Sequence, residues 1–311
     1  MKSLRIVLSA LLALCLFLSI PAFAADYLTV SVTAKNAAPV AENLNVETYK
    51  GVTLVSSFRA HDPEGDSVTY KISVEPKKGT VTIGGAEFTY APKENKSGKD
   101  SFKYVAIDSK GGVSAEATVT VQIKKQQTKV TYSDVSSYEA VFLAEKGVFL
   151  GEMVGGKYVF RPDETVSRGE FLAMCMDICG LDANIAVSRT GFSDDDAIPV
   201  WVKPYVSAAV IGGIVRGSLN ENGAAVFRSG DAVTSYEAAV ILDNALGITE
   251  TAAIEDDAVP VWAQTSVSDL KSVDIPCFSG LLTRADAARM LTRAAKIVES
   301  REDKGLWSWM K

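Results

Sequence analysis

The sequence predicts a multidomain chain, with an all-β sandwich followed by an all-α bundle of three repeats. Three observations carry this reading. Between residues 68 and 123 the segments VTYKISV, SFKYVAI and ATVTVQI alternate apolar and polar residues, the period-two pattern of half-buried strands. Farther on, DDAIPVW ending at Trp201 and DDAVPVW ending at Trp262 recur 61 residues apart. Finally, Ser167-x-x-Glu170, Thr234-x-x-Glu237 and Thr283-x-x-Asp286 each open an apolar-periodic stretch, as capped helices do.

Composition narrows the function before any motif does. The chain has 311 residues, 47% of them hydrophobic and 23% charged, which excludes a disordered or collagen-like chain. Its formal net charge is -6. Nucleic-acid binding calls for a basic excess, so no nucleic-acid partner is expected. His61 is the single histidine, which rules out multi-His metal sites and leaves one residue through which any Ser-His or Cys-His chemistry would have to run.

The first element is a leader, residues 1–24. Lys2 and Arg5 precede an apolar run over 6–20, Pro21 ends it, and Ala22-Phe23-Ala24 has the form of a cleavage site. The run is shorter than the roughly 20 residues a membrane span needs. Export with cleavage before Ala25 is therefore expected, with no transmembrane anchor. Cys15 sits in Leu12-Ala13-Leu14-Cys15, where Leu14 is too large for a lipidation box. Cys175, Cys179 and Cys277 remain. An odd number argues against a disulfide framework in an exported chain, and all three read as small buried hydrophobes.

The second element, residues 36–125, is the sandwich. Asp62-Pro-Glu-Gly-Asp66, Gly84-Gly85 and Gly111-Gly112 punctuate its short runs. About seven short strands in about 90 residues suit a sandwich better than a barrel. The strings NAAPVAEN, AHDPEGDSVTYKI, KGTVTI, FTYAP and GKDSFKYVAIDSKGG resemble the bacterial cadherin-like and Ig-like domains of surface proteins, and that resemblance implies a spacer or adhesive module without catalysis. Asp62, Glu64, Asp66 and Asp108 form an oxygen-rich group that calcium could use. The competing reading is a tight turn set by Pro63 and Gly65 with solvated acids, and it is preferred, so no cofactor is expected. His61 reads as an exposed strand-end residue.

A polar linker at 126–130 separates the domains and precedes most of the negative charge. Residues 36–125 sum to +1 and 126–311 to -9. Beyond it the repeats run over 131–181, 190–248 and 252–298, the last degenerate, with a charged tail at 299–311. Glu170, Glu237 and Asp286 read as capping acids. Arg168 and Arg284 occupy the first helical position, where the macrodipole disfavours a cation by a few tenths of a kcal/mol. On that argument alone, removing either leaves stability level or slightly higher. The spacing leaves open whether they complete anion pockets at helix N-termini or are simply solvated.

Phe192-Ser-Asp194, Trp201, Pro204-Tyr-Val206, Gly212-Gly-Ile-Val-Arg-Gly217, Phe227 and VTSYEAA resemble the S-layer homology (SLH) module. A first copy runs from Tyr132-Ser-Asp134 through Lys146-Gly-Val-Phe-Leu-Gly151 to VSRGEF, and a third starts near Ile254 and ends in LTRADAARML. The resemblance implies a pseudo-threefold helical bundle whose grooves hold secondary cell-wall polysaccharide, often bearing an anionic pyruvate ketal, with the arginine as a main contact. It carries over to Arg168 and Arg284. The second copy has Ser235 at that position, the first has only Tyr138 near the place of the tryptophan, and the third has Val273-Asp274 for the glycine pair and a shortened loop at 277–280.

Trp201 and Trp262 are either sugar-stacking platforms or, on composition, core residues. Gly147, Gly151, Gly213 and Gly217 either admit a ligand or serve turns. The expected protein is a non-enzymatic, secreted component of the cell surface, cell wall or S-layer, with surface-layer proteins as further partners. One rival makes the Ig-like domain the functional adhesin and the array a degenerate scaffold. Another is a glycan hydrolase built on paired carboxylates, disfavoured because the acids that can be placed are caps or turns.

Overall fold

The computed structural model describes residues 35–149, 151–249 and 258–303. The leader, Ile254 and the last eight residues of the tail lie outside them. From Ala37 onward the described residues form one compact unit.

Nine strands build the first part: β1 Val40–Ala41, β2 Leu44–Tyr49, β3 Leu54–Ser57, β4 Ala60–His61, β5 Val68–Val74, β6 Gly79–Gly84, β7 Glu87–Pro92, β8 Gly98–Asp108 and β9 Ala117–Lys124. They form a four-stranded sheet in the order β2-β9-β8-β5, a three-stranded sheet in the order β3-β7-β6, and a short β1-β4 ladder. Strands β2 and β9 pair in parallel; the other pairs are antiparallel. Along β8 and β9 every second residue is buried, and these inward positions meet Phe58, Phe88 and Tyr90 to form the sandwich core.

One acid is built into that core. Asp100 accepts the Tyr90 hydroxyl at 2.7 Å and the amides of Lys77 and Lys78 at 3.1 and 2.8 Å. Burial pushes its carboxyl up, but those donors together hold it below the usual range. Gly79 lets the Tyr90 ring pass, since a Cβ there would lie 2.3 Å from it.

Six helices follow: α1 Tyr138–Glu145, α2 Arg168–Ile178, α3 Lys203–Ile211, α4 Ser235–Leu246, α5 Val261–Ser272 and α6 Arg284–Asp303. They come in three pairs, each a helix followed by a capped helix. Hairpins β10 Glu152–Val154 with β11 Lys157–Val159, and β12 Ser218–Leu219 with β13 Ala225–Val226, lie between the members of the first two pairs. The third pair has no such hairpin among the described residues, in keeping with its shortened loop. Ser167 and Thr234 each take the amide of the acid three residues on while that acid reaches back to the cap's own amide. Thr283 accepts the Asp286 amide at 3.2 Å and donates to its carboxylate at 2.7 Å.

The three junctions ahead of these caps close on one another. Val166 N–H donates to Leu282 C=O at 3.0 Å, Leu282 N–H to Val233 C=O at 2.9 Å, and Val233 N–H to Val166 C=O at 2.9 Å. All three side chains are buried. The first amide of each capped helix then donates to a loop carbonyl of another copy: Arg168 to Asp231, Ser235 to Gly280 and Arg284 to Glu164, at 2.8, 2.9 and 2.8 Å.

Each of the first two copies is also tied internally by one aspartate. Asp134 accepts the amides of Phe160 and Arg161, and Asp194 those of Phe227 and Arg228. Arg161 and Arg228 adopt φ of 55° and 59° at those places. Asp274, standing where the second copy has Gly213, takes φ 61° against 73° for that glycine. Replacing the glycine preserves the left-handed turn, at some cost in backbone energy.

Residues 126–130 divide the two parts in sequence but are no free tether. The Gln127 and Thr128 amides donate to the Glu145 carboxylate at 2.8 Å each, and Val130 is buried. Tyr49, Val52 and Leu54 of the sandwich join the helical core. Tyr138 stacks on Tyr49 with ring centroids 5.8 Å apart and donates to Glu47 at 2.6 Å, while Lys124 pairs with Glu47 at 2.6 Å.

Candidate functional site

Arg168 and Arg284 adopt the same arrangement at two junctions between copies. The Arg168 guanidinium lies 5.3 Å from the centre of the Phe227 ring and 3.1 Å from Glu237, with its side chain 13% exposed. Burial lowers its pKa and Glu237 opposes that shift. The Arg284 guanidinium lies 5.4 Å from the Phe149 ring centre, pairs with Glu152 at 3.0 Å and Glu164 at 3.4 Å, and donates to Phe160 C=O at 3.2 Å. Its side chain is 14% exposed. At the third junction Ser235 is buried and its hydroxyl accepts the Phe278 amide of the 277–280 loop at 2.9 Å.

The first amides of the capped helices serve neighbouring loops and their third serves the cap. Each arginine also has an acid and an aromatic face beside it, contacts that act against the few tenths of a kcal/mol of dipole repulsion.

A groove of about 260 Å³ opens where three copies meet. Glu170, Ala173, Met174 and Asp177 line it from α2, Arg284, Ala287 and Ala288 from α6, and Trp201 and Tyr205 from the start of α3. The spacings i, i+3, i+4 and i+7 place each set on one helix face. Trp201 is 55% exposed and Trp262 60%, so neither is the core residue that composition favours. Each stands at the start of a helix beside an exposed valine, Val200 or Val261, where the chain turns its apolar face outward. The Tyr205 hydroxyl donates to Asp177 at 3.1 Å. Burial pushes the Asp177 carboxyl up, and the Tyr205 bond only partly offsets it.

Of the residues singled out from sequence, the groove joins Arg284 and Trp201. Arg168 and Trp262 do not line it. Tyr138 is 2% exposed against the sandwich and does not stand in for the missing tryptophan. Gly147 and Gly213 both have φ of 73° and end helices. Gly151 and Gly217 permit close packing inside the repeat, since a Cβ would lie 2.6 Å from Val159 C=O or 2.4 Å from the Phe192 ring. These contacts support turn and packing duty over ligand approach. Asp177 escaped the sequence reading, although it breaks the apolar run of α2, and Tyr205 entered it only within the Pro204-Tyr-Val206 string and not as a site residue, although it stands one turn after Trp201.

In the sandwich, carboxylate oxygens of Asp62, Glu64 and Asp66 lie within 4.8 Å of one another. Asp62 accepts the amides of Glu64 and Asp66 at 3.0 and 3.1 Å, the bonding of an Asx turn. Lys110 Nζ lies 2.8 Å from Asp66 and supplies a cation of the chain's own. Asp108 stays outside the group and holds the amides of Lys110 and Gly112. Cys175 and Cys179 are buried, Cys277 is half-buried, and all three are free thiols.

The strand order and the D-P-E-G-D turn are now joined by a family match. Residues 36–125 match the bacterial cadherin-like domain. No curated protein matches the chain. Similar solved structures include an endo-fucoidan hydrolase of glycoside hydrolase family 107, at 21% identity over 30% of this chain and 14% of that one, with a TM-score of 0.24. A PKD domain of an M14-like peptidase from a Thermoplasmatales archaeon is 25% identical over 29% of this chain and all of that one, with a TM-score of 0.23. Drosophila N-cadherin EC1-3 is 14% identical over 29% of this chain and 35% of that one, with a TM-score of 0.23. The chain thus spans 14% of the hydrolase. The cadherin-like domain suggests an extracellular protein. No helix among the described residues is long and apolar enough to cross a membrane.

Two outcomes follow from this geometry. Arg284→Ala lowers the denaturant midpoint by the equivalent of about 1–2 kcal/mol, since a mostly buried guanidinium with hydrogen-bonded partners is lost; an unchanged or raised midpoint would restore the dipole argument. Millimolar calcium moves the melting temperature of the whole chain by less than a few degrees relative to chelator, because Lys110 already answers Asp66. A site saturated to about 100 times its Kd would add about 2.7 kcal/mol, a readily visible shift.

Proposed function

We propose that this chain is an exported bacterial cell-surface protein held non-covalently on secondary cell-wall polysaccharide by its helical repeats, without catalysis. The cadherin-like domain serves as the spacer or adhesive module. The observation that carries the reading is the groove, in which exposed Trp201 stands beside Tyr205, Asp177 and Arg284. An aromatic face with convergent polar groups is what a sugar ring needs, because its C–H faces pack on the indole and its hydroxyls reach the rim. The resemblance of the repeats to SLH modules supports the same reading, as do the matching Asp134 and Asp194 clamps and the three interlocked caps.

One observation favours the scaffold reading as the second choice. Both arginines are already matched by acids of the chain itself. Co-sedimentation of the full chain with purified bacterial cell walls separates the two. Binding is expected to be lost when the non-peptidoglycan polysaccharide is stripped from the wall, and to fall for Trp201→Ala. Failure to sediment with intact walls, or equal sedimentation with stripped ones, would overturn the anchoring role and leave the array a scaffold.

A further inference from the structure

The lysines of the sandwich gather at one end of it. Lys77 and Lys78 lie in the loop between β5 and β6, Lys93 and Lys96 in the loop between β7 and β8, and Lys99 at the start of β8. Over 75–78 and 93–99 these five stand against two acids, Glu75 and Glu94, a net charge of +3. Four other cations of the sandwich find carboxylates: Arg59 on Asp274, Lys103 on Glu116, Lys110 on Asp66 and Lys124 on Glu47. Among the described residues, none of the five is ion-paired. Lys78 Nζ donates to Ser97 C=O at 2.9 Å and Lys93 Nζ to Lys77 C=O at 3.2 Å, and neutral carbonyls leave both charges unbalanced.

The backbone beneath these side chains is fixed. Lys93 N–H donates to Lys78 C=O at 2.8 Å and joins the two loops. Buried Asp100 holds the amides of Lys77 and Lys78 together with the Tyr90 hydroxyl. Because Asp100 points inward, the alternation of β8 turns Lys99 outward. Lys77, Lys93, Lys96 and Lys99 are exposed. The strand register tells which end this is. Gly79 pairs with Pro92 and Leu54 with Tyr90, while Gly98 pairs with Ile123 and Tyr49 with Lys124. Tyr49 and Leu54 belong to the helical core, so the basic loops stand at the end of the sandwich that meets the repeats.

We propose that this basic end is a second wall contact, separate from the groove, for a linear phosphodiester polymer in which every unit carries a phosphate. The inference takes from the reading above only that the chain stands on a bacterial wall. Charge complementarity selects the partner. Residues 126–311 sum to -9 and repel a polyanion, so the attraction that brings one to this chain arises at the lysine loops. Charge density narrows the choice. A glycan with one acid per several sugars meets one or two of these ammonium groups at a time. A phosphate at every unit meets most of them and releases counterions at each contact. Lysines are mobile point charges, and they suit a flexible row of phosphates that presents no fixed bidentate geometry. Neither loop contains an aromatic residue, so the surface lacks the stacking platforms that hold single-stranded nucleic acid.

The test is binding of the full chain to labelled poly(glycerol phosphate), followed by fluorescence anisotropy. Affinity is expected to fall at least about 10-fold from roughly 50 to 200 mM salt. The triple variant Lys77→Gln, Lys96→Gln, Lys99→Gln should bind at least about 10-fold more weakly at the lower salt. Its melting temperature should not change, since these side chains are exposed and pair with no acid. Lys71→Gln, Lys110→Gln, Lys157→Gln removes the same charge from exposed sites elsewhere and should bind like the parent. Single-stranded DNA with the same number of phosphates should bind no more tightly than the polymer. Tighter binding of DNA would make this a nucleic-acid surface and overturn the assignment. A lysine-loop variant that binds like the parent, or a control variant that loses as much, would overturn it too. If the chain ignores the polymer yet sediments with walls through Trp201, the basic end is wrong and the anchoring role of the groove stands. If it takes up the polymer through the lysine loops while wall binding survives Trp201→Ala, the groove reading falls and the basic end stands.

Discussion

The helical half of this protein depends on one closed ring of backbone hydrogen bonds through Val166, Leu282 and Val233. Each bond joins two different copies, so no copy satisfies its own junction. A buried amide or carbonyl without a partner costs about 1–3 kcal/mol, and opening one copy would strand two such groups at once. The arrangement continues outward into the first helical amides and the arginines. These run in the opposite cyclic sense to the ring and send Arg168 onto the second copy and Arg284 onto the first. The groove beside Arg284 is a consequence of this order, since its walls belong to three copies and exist only when the ring is closed.

The sandwich is drawn into the same assembly. Tyr49, Val52 and Leu54 extend the helical core, and the Glu47 carboxylate takes both the Tyr138 hydroxyl and Lys124. Burial pushes that carboxyl up, yet these two donors and the charge of Lys296 bring it below its ordinary value. Arg59 reaches across to Asp274 at 2.6 Å, an exposed pair that contributes little energy but marks a fixed orientation. The sandwich is thereby packed onto the repeats rather than tethered to them.

Much of this fold was legible in the sequence, and the reasons differ from place to place. The β8 and β9 runs were readable because one buried face imposes strict alternation. The three caps were readable because the chemistry of a helix N-terminus is local and needs a hydroxyl and an acid three residues apart. The partners of Arg168 and Arg284 were not, because Glu237 is marked in the sequence only as a capping acid, and Glu152 and Glu164 carry no periodic mark; tertiary packing alone brings them to the arginines. Trp201 misled for a related reason: a large apolar residue reads as core, and only the path of the chain ahead of α3 leaves it outside. Tyr138 and Glu47, 91 residues apart, are likewise joined by tertiary packing alone.

The central claim, that three copies are held as one cooperative unit by this ring, is tested most directly by native-state hydrogen exchange at three amides. Val166, Val233 and Leu282 should open together, with a single free energy equal to that of global unfolding and a common response to denaturant. If the Leu282 amide of the degenerate third copy exchanges through a separate, lower-energy opening while Val166 and Val233 stay protected, the copies are independent and the ring is not what holds them.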